Sequence, residues 1–144
     1  MGVQRDGSFS EYITMPVERI VDGKGLDAKT LALVEPFSIG YHAINRGNVK
    51  TGDRVLVIGA GPIGIFAMIS AILKGSEVYI ADILDKRLEL AKELGASGTI
   101  NTVKENLVER VKEITNNGGM DVCVEAAGLP ATFLHCVENT CFGG

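Results

Sequence analysis

The sequence predicts an α/β fold built on a doubly wound parallel sheet. From residue 53 onward, strand-forming and helix-forming runs alternate in the order β-α-β-α-β-α-β-α. The first strand contains the run Val55–Ile58, which is apolar throughout and typical of a strand covered on both faces. This alternation predicts parallel strands joined by right-handed crossover helices.

The N-terminal third lacks that alternation. Residues 1–22 are rich in strand formers and are predicted to be extended. Asp27 is predicted to cap a short helix at 28–33, and Glu35-Pro36 should end it, because a residue before proline avoids the helical region. A second helix is predicted at 37–46.

The repeating part has four predicted strands and four predicted helices. The strands lie at 54–58, 77–82, 99–101 and 120–125, and the helices at 63–74, 85–94, 106–115 and 130–139. Asp85 is predicted to cap the second of these helices. The helix at 63–74 is apolar all round, which predicts burial on two sides.

A glycine turn follows the first strand and reads G-x-G-x-x-G over residues 59–64. Gly59 permits the sharp turn, Gly61 lets the backbone approach a pyrophosphate, and Gly64 lets helix and strand pack closely. Pro62 suits the first turn of a helix. The free N–H groups and the dipole of that helix then form an anion site.

An acid ends the second strand. Asp82 lies 18 residues after Gly64, close to the spacing of about 20 expected for an acid that binds the adenine ribose. The alternative is a strand-end acid beside a plain tight turn. The strand, the turn and the acid together favour a dinucleotide site. Since a carboxylate accepts ribose hydroxyls and repels a 2′-phosphate, we predict NAD rather than NADP.

Other polar residues near this site have two interpretations. Arg87 could stack on adenine or cover the ribose, or it could be a solvated helix residue. Gly128 could face the nicotinamide half of the cofactor, or it could be a plain loop glycine. His42 and His135 lie in predicted helices and are interpreted as packed or surface residues rather than metal ligands.

Composition excludes several classes of protein. The chain has 144 residues, enough for one domain, and its net charge of −4 argues against a nucleic-acid partner. No apolar run reaches the roughly 20 residues of a membrane helix. The three cysteines form no C-x-x-C pair, which favours a reducing compartment. We therefore expect a cytoplasmic protein with neither a nucleic-acid nor a membrane partner.

Further motifs carry a resemblance to a known family. They are GSFSEY at 7–12, LVEPF at 33–37, GYHA at 40–43, the turn at 59–64 and LAKELGA at 90–96. In order and separation they resemble the zinc-dependent medium-chain alcohol dehydrogenases, over essentially the whole chain. The pair Glu35-Pro36 is most similar to the sorbitol (polyol) dehydrogenase branch, which includes sugar-acid and butanediol dehydrogenases.

The resemblance implies a Rossmann NAD-binding domain at 53–144, preceded at 1–52 by a strip of a GroES-like catalytic domain with its connecting helix. It implies that Ile63, Asp82 and Arg87 contact NAD. It also implies that Glu35 lies beside a catalytic zinc, as a ligand or through bound water or substrate; on the sequence alone Glu35 is a helix-boundary acid. In the intact protein, zinc would polarise a secondary hydroxyl of a polyol or sugar acid while NAD takes the hydride.

The sequence also departs from the family. The family's upstream zinc-binding Cys and His-Glu pair are not in this sequence, and the family's sheet continues after Gly143-Gly144 with two more strands and the usual dimer edge. We therefore expect a fragment, truncated after the fourth strand and its following helix, that is inactive alone and comes from a homo-oligomeric parent. Strand 121–125 should be an open edge, which predicts self-association or a poorly ordered end after about residue 130.

Two other functions share the glycine turn and the strand-end acid. One is a non-catalytic NAD(H)-sensing module, although the segments 9–12 and Glu35-Pro36 have no evident use in a sensor. The other is a methyltransferase, which would bind S-adenosylmethionine instead of NADH.

Overall fold

The computed structural model describes Gln4 and residues 6–144, which form two compact units, one ending at Ala32 and one running from Leu33 to Gly144. The first unit contains a 3₁₀ turn, Val17–Arg19, and helix α1 (Ala28–Ala32). As predicted, Asp27 caps α1: its Oδ1 accepts the N–H groups of the second and third helical residues at 2.9 and 3.1 Å.

The expected extended segment of the first unit forms no strand in its described residues. A strand needs a hydrogen-bonded neighbour, and the described residues of this unit supply none. Phe9 and Tyr12 are consequently almost fully exposed. Strand-forming composition alone therefore does not produce a strand here.

The second unit carries the predicted α/β alternation. Its elements are α2 (Val34–Arg46), β1 (Arg54–Ile58), α3 (Pro62–Leu73), β2 (Glu77–Asp82), α4 (Asp85–Glu93), β3 (Gly98–Asn101), α5 (Leu107–Thr115), β4 (Val122–Glu125) and α6 (Pro130–Asn139). The strands are parallel and lie in the order β3-β2-β1-β4. The prediction of a doubly wound parallel sheet is confirmed, and β4 lies at an edge of the described sheet.

Strand β1 has helices on both sides. Val55 and Val57 pack in a core with α2, α3 and α4, whereas Leu56 and Ile58 pack in a second core with α5 and α6. All four side chains are buried. Because both faces are covered, the strand is a continuous apolar run rather than an alternating one.

Helix α3 is buried on two sides, as its composition predicts. One side meets the sheet and the other meets α2. The approach of α2 depends on Gly40, where a Cβ would lie only 2.5 Å from the amide nitrogen of Ala67. Beside it, the rings of Phe37 and Phe66 meet edge to face at 5.6 Å. Among the described helices, α3 included, none is both long and apolar enough to cross a membrane.

Two local predictions were wrong. Helix α2 begins at Val34, so Glu35-Pro36 lies in its first turn and breaks no helix. Proline is tolerated there because first-turn N–H groups have no partner within the helix. Asp85 is the first residue of α4 and does not cap it. Its carboxylate instead accepts hydrogen bonds from Asn101 Nδ2 at 2.7 Å and Lys104 Nζ at 2.8 Å, and not from the first N–H groups of the helix.

Strand β4 is shorter than predicted because the chain at Met120 already pairs elsewhere. Met120 forms an isolated parallel bridge with Thr140. Its N–H donates to the carbonyl oxygen of Asn139 and its own carbonyl oxygen accepts from the N–H of Cys141, both at 2.8 Å.

The sequence also predicts that residues 1–52 are a strip of a catalytic domain and that residues 53–144 are a cofactor domain. This boundary stays a prediction.

Candidate functional site

A cleft of about 300 Å³ lies at the carboxyl ends of β1, β2 and β4. After β1 the chain builds β2 and β3 on one side, and it then returns to place β4 on the other. Doubly wound sheets bind ligands at such a switch point. The lining residues are Ile58, Gly59, Gly61, Ala81, Asp82, Ile83, Arg87, Thr102, Ala126, Ala127, Leu129, Ala131, Thr132 and His135.

The glycine turn shapes the middle of this cleft. Gly59 has a φ of +104°, and a Cβ there would lie 2.8 Å from the carbonyl carbon of Ala126. A Cβ on Gly64 would overlap the carbonyl oxygen of Gly59. Gly61 differs, because a Cβ there would meet nothing within 4 Å. Two glycines are therefore required by the protein's own packing, and Gly61 leaves open space on the ligand side.

The start of α3 faces the same region. Gly61 is the N-cap of the helix and Pro62 is its first residue. Ile63 follows and is half-buried, but neither Pro62 nor Ile63 lines the cleft. The first N–H groups of a helix have no intrahelical acceptor, which makes this end suitable for a phosphate.

Asp82 ends β2 with its side chain directed into the turn region. Its Oδ2 accepts the N–H of Ala60 at 2.8 Å, and its Oδ1 accepts the N–H of Leu84 at 2.9 Å. The residue is only 8% exposed. Burial alone would raise the pKa of this carboxyl, but the two amide donors and the Arg87 guanidinium outweigh it and lower the pKa. Asp82 is therefore a charged group in the wall of the cleft.

Arg87 lies within reach of that charge. Its Nη1 is 3.4 Å from Asp82 Oδ2, and about half of its side chain is exposed. A carboxylate has about four acceptor sites, so these contacts leave capacity at Oδ1 for a ligand hydroxyl. The predicted partners Gly59, Gly61, Asp82 and Arg87 thus surround one cleft.

Sequence reasoning missed a second strand-end carboxylate, at the end of β4. Glu125 Oε1 accepts the N–H groups of Ala127 and Gly128, both at 2.9 Å, and the hydroxyl of Thr132 at 2.7 Å. Gly128 has a φ of +76°, with open space around it. The available signal was an acid closing a buried strand directly before a glycine turn, the same pattern that identified Asp82.

Glu35 does not join this cleft. It lies exposed in the first turn of α2, and it is not among the cleft-lining residues. Within the part of the chain that the structure describes, no three His, Cys, Asp or Glu side chains form a group able to hold a metal ion. The described residues therefore do not fit a zinc centre by themselves. His42 is exposed, and His135 lines the cleft with Nδ1 3.5 Å from Glu138 Oε2.

Comparison with known proteins gives a consistent family. Residues 62–144 match the family model described as zinc-binding dehydrogenase. Sorbitol dehydrogenase of Bacillus subtilis is 36% identical over 141 residues, which cover 96% of this chain and 40% of that protein. L-galactonate-5-dehydrogenase of Escherichia coli is 45% identical over 89 residues, covering 62% of this chain and 26% of that protein.

Other relatives differ in substrate but agree in class. L-threonine 3-dehydrogenase of Burkholderia vietnamiensis is 36% identical, covering all of this chain and 42% of that protein. The solved structure of an alcohol dehydrogenase from Thermus sp. ATN1 superposes with a TM-score of 0.75 at 38% identity, covering 78% of this chain and 32% of that one.

The chain thus spans less than half the length of these curated relatives. The similarity to L-threonine 3-dehydrogenase covers the whole chain and so includes the glycine turn and all four strands. The family match agrees with the resemblance found from the motifs. The chain belongs to the zinc-binding dehydrogenase family.

Proposed function

We propose that this chain is the NAD-binding part of a dehydrogenase that oxidises a secondary hydroxyl of a polyol or sugar acid by hydride transfer to NAD. The observation that carries the proposal is Asp82, a buried, ionised carboxylate that lines the cleft and hydrogen-bonds the glycine turn at Ala60.

The described residues fit a dinucleotide. Gly61 leaves room for a pyrophosphate, and the start of α3 directs its unpaired N–H groups toward it. Asp82 retains acceptor capacity for the adenine ribose hydroxyls, and a 2′-phosphate placed there would meet a negative charge. NAD is therefore favoured over NADP. Pro62, Ile63, Gly64 and Gly128 are not among the cleft-lining residues, and we propose that they support the same ligand by shaping the backbone beside the cleft.

Bound NAD supplies the hydride acceptor. The protein's contribution is to hold the dinucleotide in one orientation, since positioning reacting groups can lower a barrier by about 7–11 kcal/mol. Asp82 and Arg87 would fix the adenosine end at β2, and the loop after β4 would receive the nicotinamide end. The small side chains of Ala126 and Ala127 leave space for a flat ring in that part of the cleft.

The substrate class rests on the relatives and on the Glu35-Pro36 pair. The relatives include enzymes named for sorbitol, L-galactonate and L-threonine, and we favour the polyol or sugar-acid class. Zinc use follows from the family, with Glu35 as the one residue of this chain proposed to lie beside the metal. The remaining donors would come from outside the described residues. We further propose a small-molecule substrate, a homo-oligomeric parent and a cytoplasmic location, with neither nucleic acid nor membrane as partner.

The alternative is a non-catalytic NAD(H)-sensing module, which would use the same cleft. Titration of the 144-residue chain with NADH, NADPH and S-adenosylmethionine, followed by calorimetry, tests the cofactor assignment. We expect NADH to bind tightest. Equal or tighter binding of NADPH would overturn the NAD assignment, and preferential binding of S-adenosylmethionine would favour a methyltransferase. The coding sequence on either side separates enzyme from sensor. An upstream Cys and Gly-His-Glu segment would support the enzyme, and a channel or regulator segment would support the sensor.

A further inference from the structure

Glu125 concentrates three hydrogen bonds on one carboxylate oxygen. The N–H groups of Ala127 and Gly128 and the hydroxyl of Thr132 all donate to Oε1. The Thr132 hydroxyl also lies 2.8 Å from the carbonyl oxygen of Leu129, but it has one proton. The charged acceptor at 2.7 Å gives the stronger bond. Glu125 therefore ties the middle of its loop, residues 126–129, and the first turn of α6 to the end of β4.

That loop is also packed against the glycine turn. The N–H of Ala126 donates to the carbonyl oxygen of Ile58 at 2.8 Å. Gly59 approaches Ala126 so closely that a Cβ would not fit between them. Any displacement of the loop would therefore change the wall of the cleft beside the pyrophosphate position.

The hydrogen bonds to Glu125 also determine which groups of the loop are available to bind a ligand. Because the N–H groups of Ala127 and Gly128 already donate to Glu125, they are not available to the cofactor. The carbonyl oxygens of the loop, the methyl groups of Ala126 and Ala127 and the side chain of Leu129 remain available to a ligand. Glu125 itself is not among the cleft-lining residues, so it shapes the loop from behind the cleft wall.

The two strand-end acids, Asp82 and Glu125, each hold the backbone on one side of the cleft. Asp82 accepts one amide from the turn after β1 and one from the loop after β2, where the adenosine half would bind. Glu125 accepts amides from the loop after β4, where the nicotinamide half would bind. Glu125 stays ionised at neutral pH: burial raises the pKa of its carboxyl, but the Thr132 hydroxyl and the loop amides lower it further than burial raises it. Each acid thus fixes one wall.

We propose that Glu125 is a positioning residue that holds loop 126–129 in the shape required by the nicotinamide half of the dinucleotide. This inference rests on the proposed NAD site. It predicts the direction in which NADH affinity changes when Glu125 is removed. If Glu125 were only a negative charge near an anionic ligand, its removal would strengthen nucleotide binding. If it positions the loop, its removal weakens NADH binding and leaves AMP binding unchanged.

The test compares Glu125→Ala, Glu125→Gln and wild type in the 144-residue chain, with NADH and AMP as probes. Glu125→Ala should weaken NADH about tenfold, the effect of losing hydrogen bonds to a charged group. Glu125→Gln keeps one carbonyl acceptor, so its NADH affinity should lie between those of wild type and Glu125→Ala. Glu77→Ala is the matched control, since it removes the same charge at the amino-terminal end of β2, at the edge of the sheet away from the cleft. There the Glu77 carboxylate accepts a hydrogen bond from the Tyr79 hydroxyl. It should bind both probes as wild type does.

Amide hydrogen exchange, measured without ligand, separates this inference from the proposed function. The amides of Ala127 and Gly128 should exchange faster in both Glu125 variants than in wild type. Unchanged exchange together with unchanged or tighter NADH binding would overturn the inference. A parallel loss of AMP binding and of unfolding temperature in Glu125→Gln would also overturn it, because the role would then be global stability. A wild type that binds neither nucleotide would overturn the proposed function and with it the cofactor role of Glu125.

Discussion

Asp82 Oδ2 accepts the backbone N–H of Ala60 at 2.8 Å, so the acid that ends β2 is bonded directly to the glycine turn that follows β1. The two parts of the nucleotide motif, 18 residues apart when counted from Gly64, are one hydrogen-bonded unit in the folded protein. A change at Asp82 therefore affects ribose recognition and the turn geometry together.

Replacing Asp82 should reduce the preference for NADH over NADPH. In Asp82→Asn we expect NADH affinity to fall about tenfold and the preference over NADPH to narrow, since a charged acceptor becomes neutral. Calorimetric titration of both nucleotides measures this. Asp85→Asn is the matched control: Asp85 is exposed, pairs with Lys104 and does not line the cleft. Similar losses in the two variants would contradict the assignment.

Two glycines of the turn should respond in opposite ways to alanine. Gly64→Ala should lower the free energy of unfolding by about 1–3 kcal/mol or more, because its Cβ overlaps the carbonyl oxygen of Gly59. Gly61→Ala should fold with near wild-type stability, because a Cβ there meets nothing within 4 Å, yet NADH binding should be lost. Urea unfolding and NADH titration of both variants test this pair. NADH binding by Gly61→Ala at wild-type affinity would exclude a close pyrophosphate contact.

The Asp82 carboxylate should make stability depend on pH in the acid range. Its pKa is lowered in the folded state from an ordinary value of 3.8. The stabilisation is therefore complete above that value and is lost as pH falls through the folded pKa. At pH 7, Asp82→Asn should be less stable by about 1–2 kcal/mol. Urea unfolding at pH 7, 5 and 3 should show this difference shrinking only at the lowest pH. A constant difference would mean that the charge does not stabilise the fold.

The chain by itself should not turn over an alcohol. With NAD, Zn²⁺ and sorbitol, L-galactonate or L-threonine, we expect no NADH formation at 340 nm, because no three metal-binding side chains come together in the described residues. Glu35→Gln should bind NADH as wild type does, since Glu35 lies outside the cleft. Zinc-dependent turnover by this chain would refute the expectation, and a loss of NADH affinity in Glu35→Gln would place Glu35 at the nucleotide instead of the metal.

The parts of the site that follow from neighbouring residues in sequence were predictable. The run Val55–Ile58, the turn at 59–64 and the acid at 82 carry their own local signals, and the fold they imply is confirmed. The failures have nonlocal causes. Asp85 does not cap α4 because its carboxylate is hydrogen-bonded to Lys104, 19 positions away in the chain. The role of Glu125 depends on bonds formed only once its loop has folded.

The pairing of β4 beside β1 has a consequence for the order of assembly. Arg54 donates its N–H to Asp121 Oδ2 across 67 positions of the chain, whereas β1, β2 and β3 pair with near neighbours in sequence. Closing so long a loop is slow relative to local pairing. One wall of the cleft belongs to β1 and β2 and the other to β4, so a chain in which β4 has not paired would present the glycine turn yet hold no cofactor. Nucleotide affinity would then report the completion of the sheet, and ligand would stabilise only the finished sheet.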